Sequence, residues 1–181
     1  MYIAAQYFGI SKMENQTMGR GMMALSCVLG IGMLTLFFSE VEQHQRNPNQ
    51  RPVTEMAATT RQVALERNRS GHYLVTGNIN RQSAEFLLDT GATDVVVPAE
   101  IAASLGLQRG RPTRAITANG AITVFETRID ELSIGDITLF NVSASINPAM
   151  PPPQILLGMS ALKQIEFVQR GDSLTLIQHW E

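Results

Sequence analysis

The sequence predicts an all-β domain, barrel or sandwich, carried behind a single membrane-spanning helix. Three observations predict it. Residues 21–39 contain no charged side chain. From about residue 71 onward the chain breaks into short runs of strand-forming residues separated by turn signals, the pattern of an all-β barrel or sandwich. Between two of those runs stands Asn119-Gly120, the strongest short-range hairpin signal.

The helix comes first. Residues 1–20 are mixed in character and read as a short N-terminal segment on the cytoplasmic side. The uncharged run that follows has 19 residues. At ~1.5 Å per residue it spans ~28 Å, close to a bilayer core of ~30 Å. A soluble helix of that length carries a polar stripe. Here the few polar atoms (Ser26, Cys27, Thr35) can bond back to the helix itself. The run is longer than the ~7–15-residue core of a signal peptide and lacks a small-x-small site after Phe38, so it reads as an uncleaved anchor. Lys12 and Arg20 precede it, and Arg46 and Arg51 follow. Arg20 abuts the span, which favours a cytoplasmic N-terminus and a domain outside the cytoplasm. Residues 40–70, rich in Gln, Asn, Arg, Thr and Pro, read as a flexible linker with an r.m.s. span of roughly 30 Å; within it residues 55–68 could form a short helix.

The β domain is expected over residues 71–181. Residues 72–79 and 84–88 form a hairpin around Asn80-Arg81-Gln82. Asp94-Val95-Val96-Val97 is a short strand, and Pro98 opens a helical turn over 99–105 that Gly106 stops. Residues 113–118 and 121–129 are the limbs of the Asn119-Gly120 hairpin. Strands at 132–134, 137–146 and 173–178 complete the set.

Composition narrows the function. The 181 residues hold 14 Lys+Arg against 16 Asp+Glu, a net charge of −2, which gives no electrostatic footprint for nucleic acid. One Cys and three dispersed His support no disulfide framework and no metal cluster, and no cofactor is expected. Charged residues make up 17%, below the ~25% usual in soluble chains, in keeping with a membrane segment.

The chemistry concentrates at Phe86-Leu87-Leu88-Asp89-Thr90-Gly91-Ala92-Thr93. An apolar strand runs directly into a carboxylate, a hydroxyl and a glycine. Burying an unpaired charged Asp there costs several kcal/mol. Gly91 permits a tight turn, and Thr90 supplies a donor and an acceptor. Asp-Thr-Gly alone is common turn composition; its surroundings change the reading.

Over residues 71–181 the sequence resembles the retroviral-type (retropepsin-like) aspartic peptidases, in particular bacterial membrane-anchored members. Four features carry the resemblance in order: the turn Leu87-Leu88-Asp89-Thr90-Gly91-Ala92, the strand Val95-Val96-Val97-Pro98, the hairpin tipped by Ala118-Asn119-Gly120 in the place of the family's flap, and Ile155-Leu156-Leu157-Gly158 followed by a helical turn. The resemblance implies a closed barrel forming one lobe of an acid-protease fold, with one or two short helices. It implies Asp89 as the catalytic carboxylate, supported by Thr90, Gly91 and Ala92. Ala118, Asn119 and Gly120 become the substrate-covering flap, and Leu157 and Gly158 the second apolar-Gly element. Such enzymes need two carboxylates sharing a proton, and this chain holds one Asp-Thr-Gly. The implied state is a homodimer with Asp89 from each copy and Thr90 bonding across it, cutting peptide bound as an extended strand. The implied location is a single-pass inner-membrane protein with its peptidase domain in the periplasm. Ala92, where two-lobed secreted enzymes carry Ser, predicts activity toward mildly acidic or neutral pH. The Met-Ser-Ala-Leu after Gly158 departs from the viral Arg-Asn/Asp pattern. The other reading is a catalytically silent peptide-binding or assembly module with the same fold. Gly158-Met159-Ser160 resembles a serine-hydrolase elbow only superficially, since Leu162 stands where a second Gly is required.

Overall fold

The computed structural model describes residues 4–117 and 120–180. Contacts divide the chain into two units, residues 1–43 and 44–181. The first is most of one helix, α1 (Ala4–Arg46). Within residues 21–46 an 18-residue window reaches a mean hydropathy of 2.0, and this part of the helix is long and apolar enough to cross a membrane. Its apolar residues face every direction, with Leu25, Val28, Leu29, Leu34 and Phe37 all exposed. The helix thus runs beyond both ends of the 21–39 stretch.

The second unit is built on a barrel. Its strands are β3 (Leu74–Ile79), β4 (Gln82–Leu88), β5 (Val95–Pro98), β7 (Gly120–Ile134), β8 (Ile137–Asn147) and β9 (Gln154–Leu157). They pair in the order β3-β4-β9-β5-β8-β7, and β7 returns to β3 to close the ring. The pairs β4–β9 and β5–β8 are parallel and the others antiparallel. Closure depends on Gly77. A Cβ there would lie 2.2 Å from the Ser133 carbonyl oxygen, so only glycine lets β3 come alongside the end of β7, where Asn78 pairs Ser133 and Ile79 pairs Leu132. The β3–β4 hairpin turns on Asn80 and Arg81, both at positive φ (49° and 67°), as a two-residue loop of the favoured hand demands. The Asn80 side chain then ties this corner to its neighbours: its Nδ2 donates to the Leu105 carbonyl at 3.0 Å, and its Oδ1 accepts the Glu131 amide at 3.2 Å.

Strand β6 (Pro112–Thr117) pairs only with the first half of β7 and is almost wholly exposed. The two form a projecting hairpin. Ala118 and Asn119 of its tip lie outside the described residues. Single helical turns, α2 (Ala99–Ala102) and α3 (Met159–Leu162), follow β5 and β9; α2 is shorter than the turn expected over 99–105.

A second sheet covers the barrel. It contains β1 (Thr54–Met56), β2 (Thr60–Glu66), β10 (Glu166–Arg170) and β11 (Ser173–His179), in the order β1-β2-β11-β10. Val63 and Leu65 of β2 and Leu174 and Leu176 of β11 are buried in one cluster with barrel residues such as Phe86, Ile129 and Ile155. These four alternate along their strands, as inward positions must.

The sheet corrects the expectation of a flexible linker over 40–70. The chain is helical to Arg46. Asn47 and Asn49 are buried, and 54–56 and 60–66 are strands rather than part of a short helix. The folded unit begins at residue 44, not 71. Strand β10 also had no signal of its own in the sequence.

Candidate active site

The Asp89 turn leaves the barrel at the end of β4, and its backbone is tied on both sides. The Leu88 amide donates to the Tyr73 carbonyl at 3.0 Å, and the Asp89 amide donates to the Leu157 carbonyl at 3.1 Å. Beyond Asp89 the chain folds back on itself. The Gly91 amide donates to Asp89 Oδ1 at 2.9 Å, and the Ala92 amide donates to the Asp89 carbonyl at 3.2 Å. One carboxylate oxygen is thereby oriented by its own turn. Asp89 is half-buried and takes no ion-pair partner among the described residues. Thr90 is exposed, and its hydroxyl has no partner among the described residues.

The start of α3 supports the turn from below. The Met159 amide donates to the Ala92 carbonyl at 2.8 Å, and the Ser160 amide donates to the Thr93 carbonyl at 2.9 Å. Gly158 allows this approach. A Cβ there would lie 2.1 Å from the Asp94 carbonyl oxygen and 2.7 Å from that of Ala92. Asp89 is therefore brought against Leu157 and Ala92 against Gly158, joining two segments about 70 residues apart in sequence. Gly120, with φ of +108°, stands at the end of the projecting hairpin, where its carbonyl accepts the Thr117 hydroxyl at 2.8 Å; no hydrogen bond joins it to the Asp89 turn among the described residues.

Motif spacing alone assigns Ser160 no part in the site. It is 5% exposed. Its Oγ accepts the Val95 amide at 3.0 Å and donates to the Ser143 carbonyl at 2.7 Å. It links α3, β5 and β8 directly behind the turn, at the place where the sequence departs from the viral Arg-Asn/Asp pattern. A hydroxyl two residues past a buried glycine was the available signal.

Two hollows, of about 310 and 430 Å³, are lined by residues between 44 and 66 and between 106 and 130. Asp89 lines neither. No cluster of metal-ligating side chains is found among the described residues.

A closed barrel that presents an Asp-Thr-Gly turn at the end of one strand, propped by the apolar-Gly end of a parallel neighbour, is the architecture of one aspartic-peptidase lobe. The comparisons agree. Residues 75–164 match the family described as "gag-polyprotein putative aspartyl protease", a span that includes the Asp89 turn and Gly158. In fold, the chain is similar to a retropepsin-like aspartic protease from Rickettsia conorii, with a TM-score of 0.57 and 23% identity over 68% of this chain and 96% of that one. It is also similar to the EIAV protease complexed with the inhibitor HBY-793, with a TM-score of 0.43 and 22% identity over 53% of this chain and 89% of that one. A curated relative, an uncharacterized protein in the cobV 5′ region of Sinorhizobium sp, is 33% identical over 119 residues, 64% of this chain. The chain spans about half (51%) of that relative's length. Residues 75–164 thus carry the match to that aspartyl protease family on a fold similar to a retropepsin-like aspartic protease.

Proposed function

We propose that the protein is a membrane-anchored aspartic endopeptidase, active as a homodimer, in which Asp89 of each copy forms the catalytic dyad. The observation that carries this reading is the Asp89 turn itself: a half-buried carboxylate with one oxygen oriented by the Gly91 amide, beside an exposed Thr90 hydroxyl. With one such turn per chain, a single copy holds half of the required acid–base pair.

In the dimer, two carboxylates in contact resist ionising together, so one keeps a proton. The ionised carboxylate takes a proton from a water held between the pair. The water oxygen bonds to the scissile carbonyl carbon while the protonated carboxyl donates to the carbonyl oxygen. Collapse of the resulting gem-diol breaks the C–N bond, and a proton passes to the leaving amine. Thr90 bonds across the dimer and holds the two turns in register. Ala118, Asn119 and Gly120 close over the substrate and exclude water, and the substrate binds as an extended strand through main-chain hydrogen bonds. Residues 21–39 anchor the chain in the inner membrane, with the peptidase domain in the periplasm.

The test uses the full chain in proteoliposomes with a fluorogenic peptide library. Asp89→Ala should lower hydrolysis by more than about 10²–10⁴-fold without lowering the unfolding temperature. Excess Asp89→Ala should also poison the wild type by forming mixed dimers. Peptide binding without hydrolysis by either protein would make the chain a silent binding module. Hydrolysis surviving in Asp89→Ala would overturn the assignment.

A further inference from the structure

The attachment of the barrel to the apolar helix limits which peptide bonds Asp89 can reach. The last turn of α1, residues 44–46, belongs to the folded unit, and other parts of that unit hold it. Asn68 Nδ2 donates to the Arg46 carbonyl at 2.9 Å, and Arg69 Nη1 donates to Gln45 Oε1 at 3.2 Å. Arg46 pairs with Glu85 of β4 at 2.6 Å. Asn47 is 2% exposed and also donates to Glu85, at 3.2 Å. Asn49 is buried and lies alongside Val75 of β3 as a parallel bridge. Between the uncharged run, which ends at Ser39, and this attachment stand only residues 40–43.

The same contacts locate the attachment relative to the Asp89 turn. Val75, beside Asn49, pairs with Phe86. Phe86 precedes Asp89 by three residues on the strand that ends in the turn. Neighbouring strands lie ~4.8 Å apart and each residue advances ~3.3 Å, so Asp89 is within roughly 20 Å of Asn49. From Ser39 the chain covers about 10 Å as helix to Arg46, and at most about 11 Å more to Asn49. Whatever direction the helix takes, Asp89 therefore stands within about 40 Å of the end of the uncharged run. Pulling residues 40–43 straight adds no more than about 8 Å. A free linker over residues 40–70 would instead reach about 100 Å at full extension. The buried asparagines and the Arg46–Glu85 pair remove that range.

A soluble chain meets such a site only by collision from the bulk. A protein held in the same membrane presents the segment next to its own anchor at this height, at the raised effective concentration that confinement gives. Bonds high on a tall ectodomain stay out of reach. We infer that the substrates are proteins anchored in the same membrane, cut in an extended segment within about 40 Å of the bilayer, a substrate class that rests on the membrane-anchored peptidase reading above.

The test uses the full chain in proteoliposomes with single-span reporters. Each reporter carries a cleavable peptide chosen from the fluorogenic library. An alanine-rich helical spacer of 10, 20 or 50 residues, continuous with the reporter's membrane helix, sets the peptide about 15, 30 or 75 Å above the bilayer. The same peptide free in solution measures catalysis itself. The faster-cut of the two short reporters should be hydrolysed at least about tenfold faster than the 50-residue reporter, and faster than the free peptide at equal bulk concentration. Inserting 40 Gly/Ser residues between Glu42 and Gln43, outside the folded unit, should raise cutting of the 50-residue reporter at least about fivefold and leave the free-peptide rate unchanged. Equal cutting of all three reporters by the unmodified chain, or short reporters cut no faster than the free peptide, overturns the height limit and leaves the peptidase standing. Loss of all hydrolysis, the free peptide included, overturns the peptidase reading and the substrate class with it.

Discussion

Gly158 lies directly beneath the carbonyl of Asp94: a Cβ added to it would come within 2.1 Å of that oxygen. The contact fixes how the two halves of the candidate site meet. The turn after β4 can rest on the start of α3 only because nothing projects from position 158, and the Met159 and Ser160 amides then reach the Ala92 and Thr93 carbonyls. The obstructing atoms are backbone, so they cannot rotate aside as a side-chain end would. Gly158→Ala should destabilise the domain by about 1–3 kcal/mol or more, as overpacking does, and should displace the Asp89 turn. Thermal unfolding and peptide hydrolysis should fall together. An unchanged melting temperature would show that the turn does not rest on this residue.

Ser160 should behave differently from Asp89. Ser160→Ala strands the buried Val95 amide and leaves the Ser143 carbonyl without its hydroxyl donor. An unsatisfied buried polar group costs about 1–3 kcal/mol. The expected result is a lower melting temperature with hydrolysis retained well below it. Asp89→Ala should show the reverse, intact stability and lost hydrolysis. If Ser160→Ala abolished turnover in a fully folded protein, a serine nucleophile would have to be reconsidered.

Barrel closure gives a third prediction. Gly77 admits β7 beside β3, and a methyl there would meet both the Ser133 carbonyl and the Phe86 ring, at 2.2 and 3.0 Å. Gly77→Ala should open the β3–β7 seam. Amide hydrogen exchange should lose protection first at Asn78, Ile79, Leu132 and Ser133, the residues paired across it. Uniform loss across the whole barrel would instead mean that the seam does not open independently.

The barrel strands were legible because each announces itself locally. Leu74 to Ile79 and Gln82 to Leu88 are bounded by turn residues, and the Asp-Thr-Gly turn and its Leu157-Gly158 support each follow an apolar run that ends at a small or polar residue. Strand β2 makes no such announcement. Thr60-Arg61-Gln62-Val63-Ala64-Leu65-Glu66 has two sizeable apolar side chains, and its partner β11 lies more than 100 residues further along the chain. A strand defined by a distant neighbour leaves almost no periodic trace nearby, so the segment read as linker. The buried asparagines at 47 and 49 were hidden for a related reason: Asn and Pro signal a turn in isolation, and only the fold supplies carbonyls for a buried amide.

Asn49 therefore carries the last prediction. Its side chain bridges two strands, donating through Nδ2 to the Leu74 carbonyl at 2.6 Å and the Glu66 carbonyl at 2.9 Å, and accepting the Glu66 amide on Oδ1 at 2.7 Å. Its carbonyl accepts the Thr76 amide at 3.1 Å. Beside it, Asn47 donates to Thr76 Oγ1 and to Glu85, which also pairs with Arg46. These bonds join the first residues of the domain to β2 of the covering sheet and to β3 and β4 of the barrel. Asn49→Ala leaves several buried backbone groups without partners, at about 1–3 kcal/mol for each group that water cannot reach, and should lower the melting temperature by many degrees. Asn49→Asp should be at least as harmful, because an oxygen would replace the donor that faces two carbonyls. Truncation gives the matching result. A protein starting at His44 should fold with the melting temperature of the full domain. One starting at residue 60 should be markedly less stable, and one starting at 71, which lacks β2 and with it Val63 and Leu65 of the core, should not fold. Equal stability of the chains starting at 44 and 60 would show that the Asn49 bridge contributes nothing to the fold.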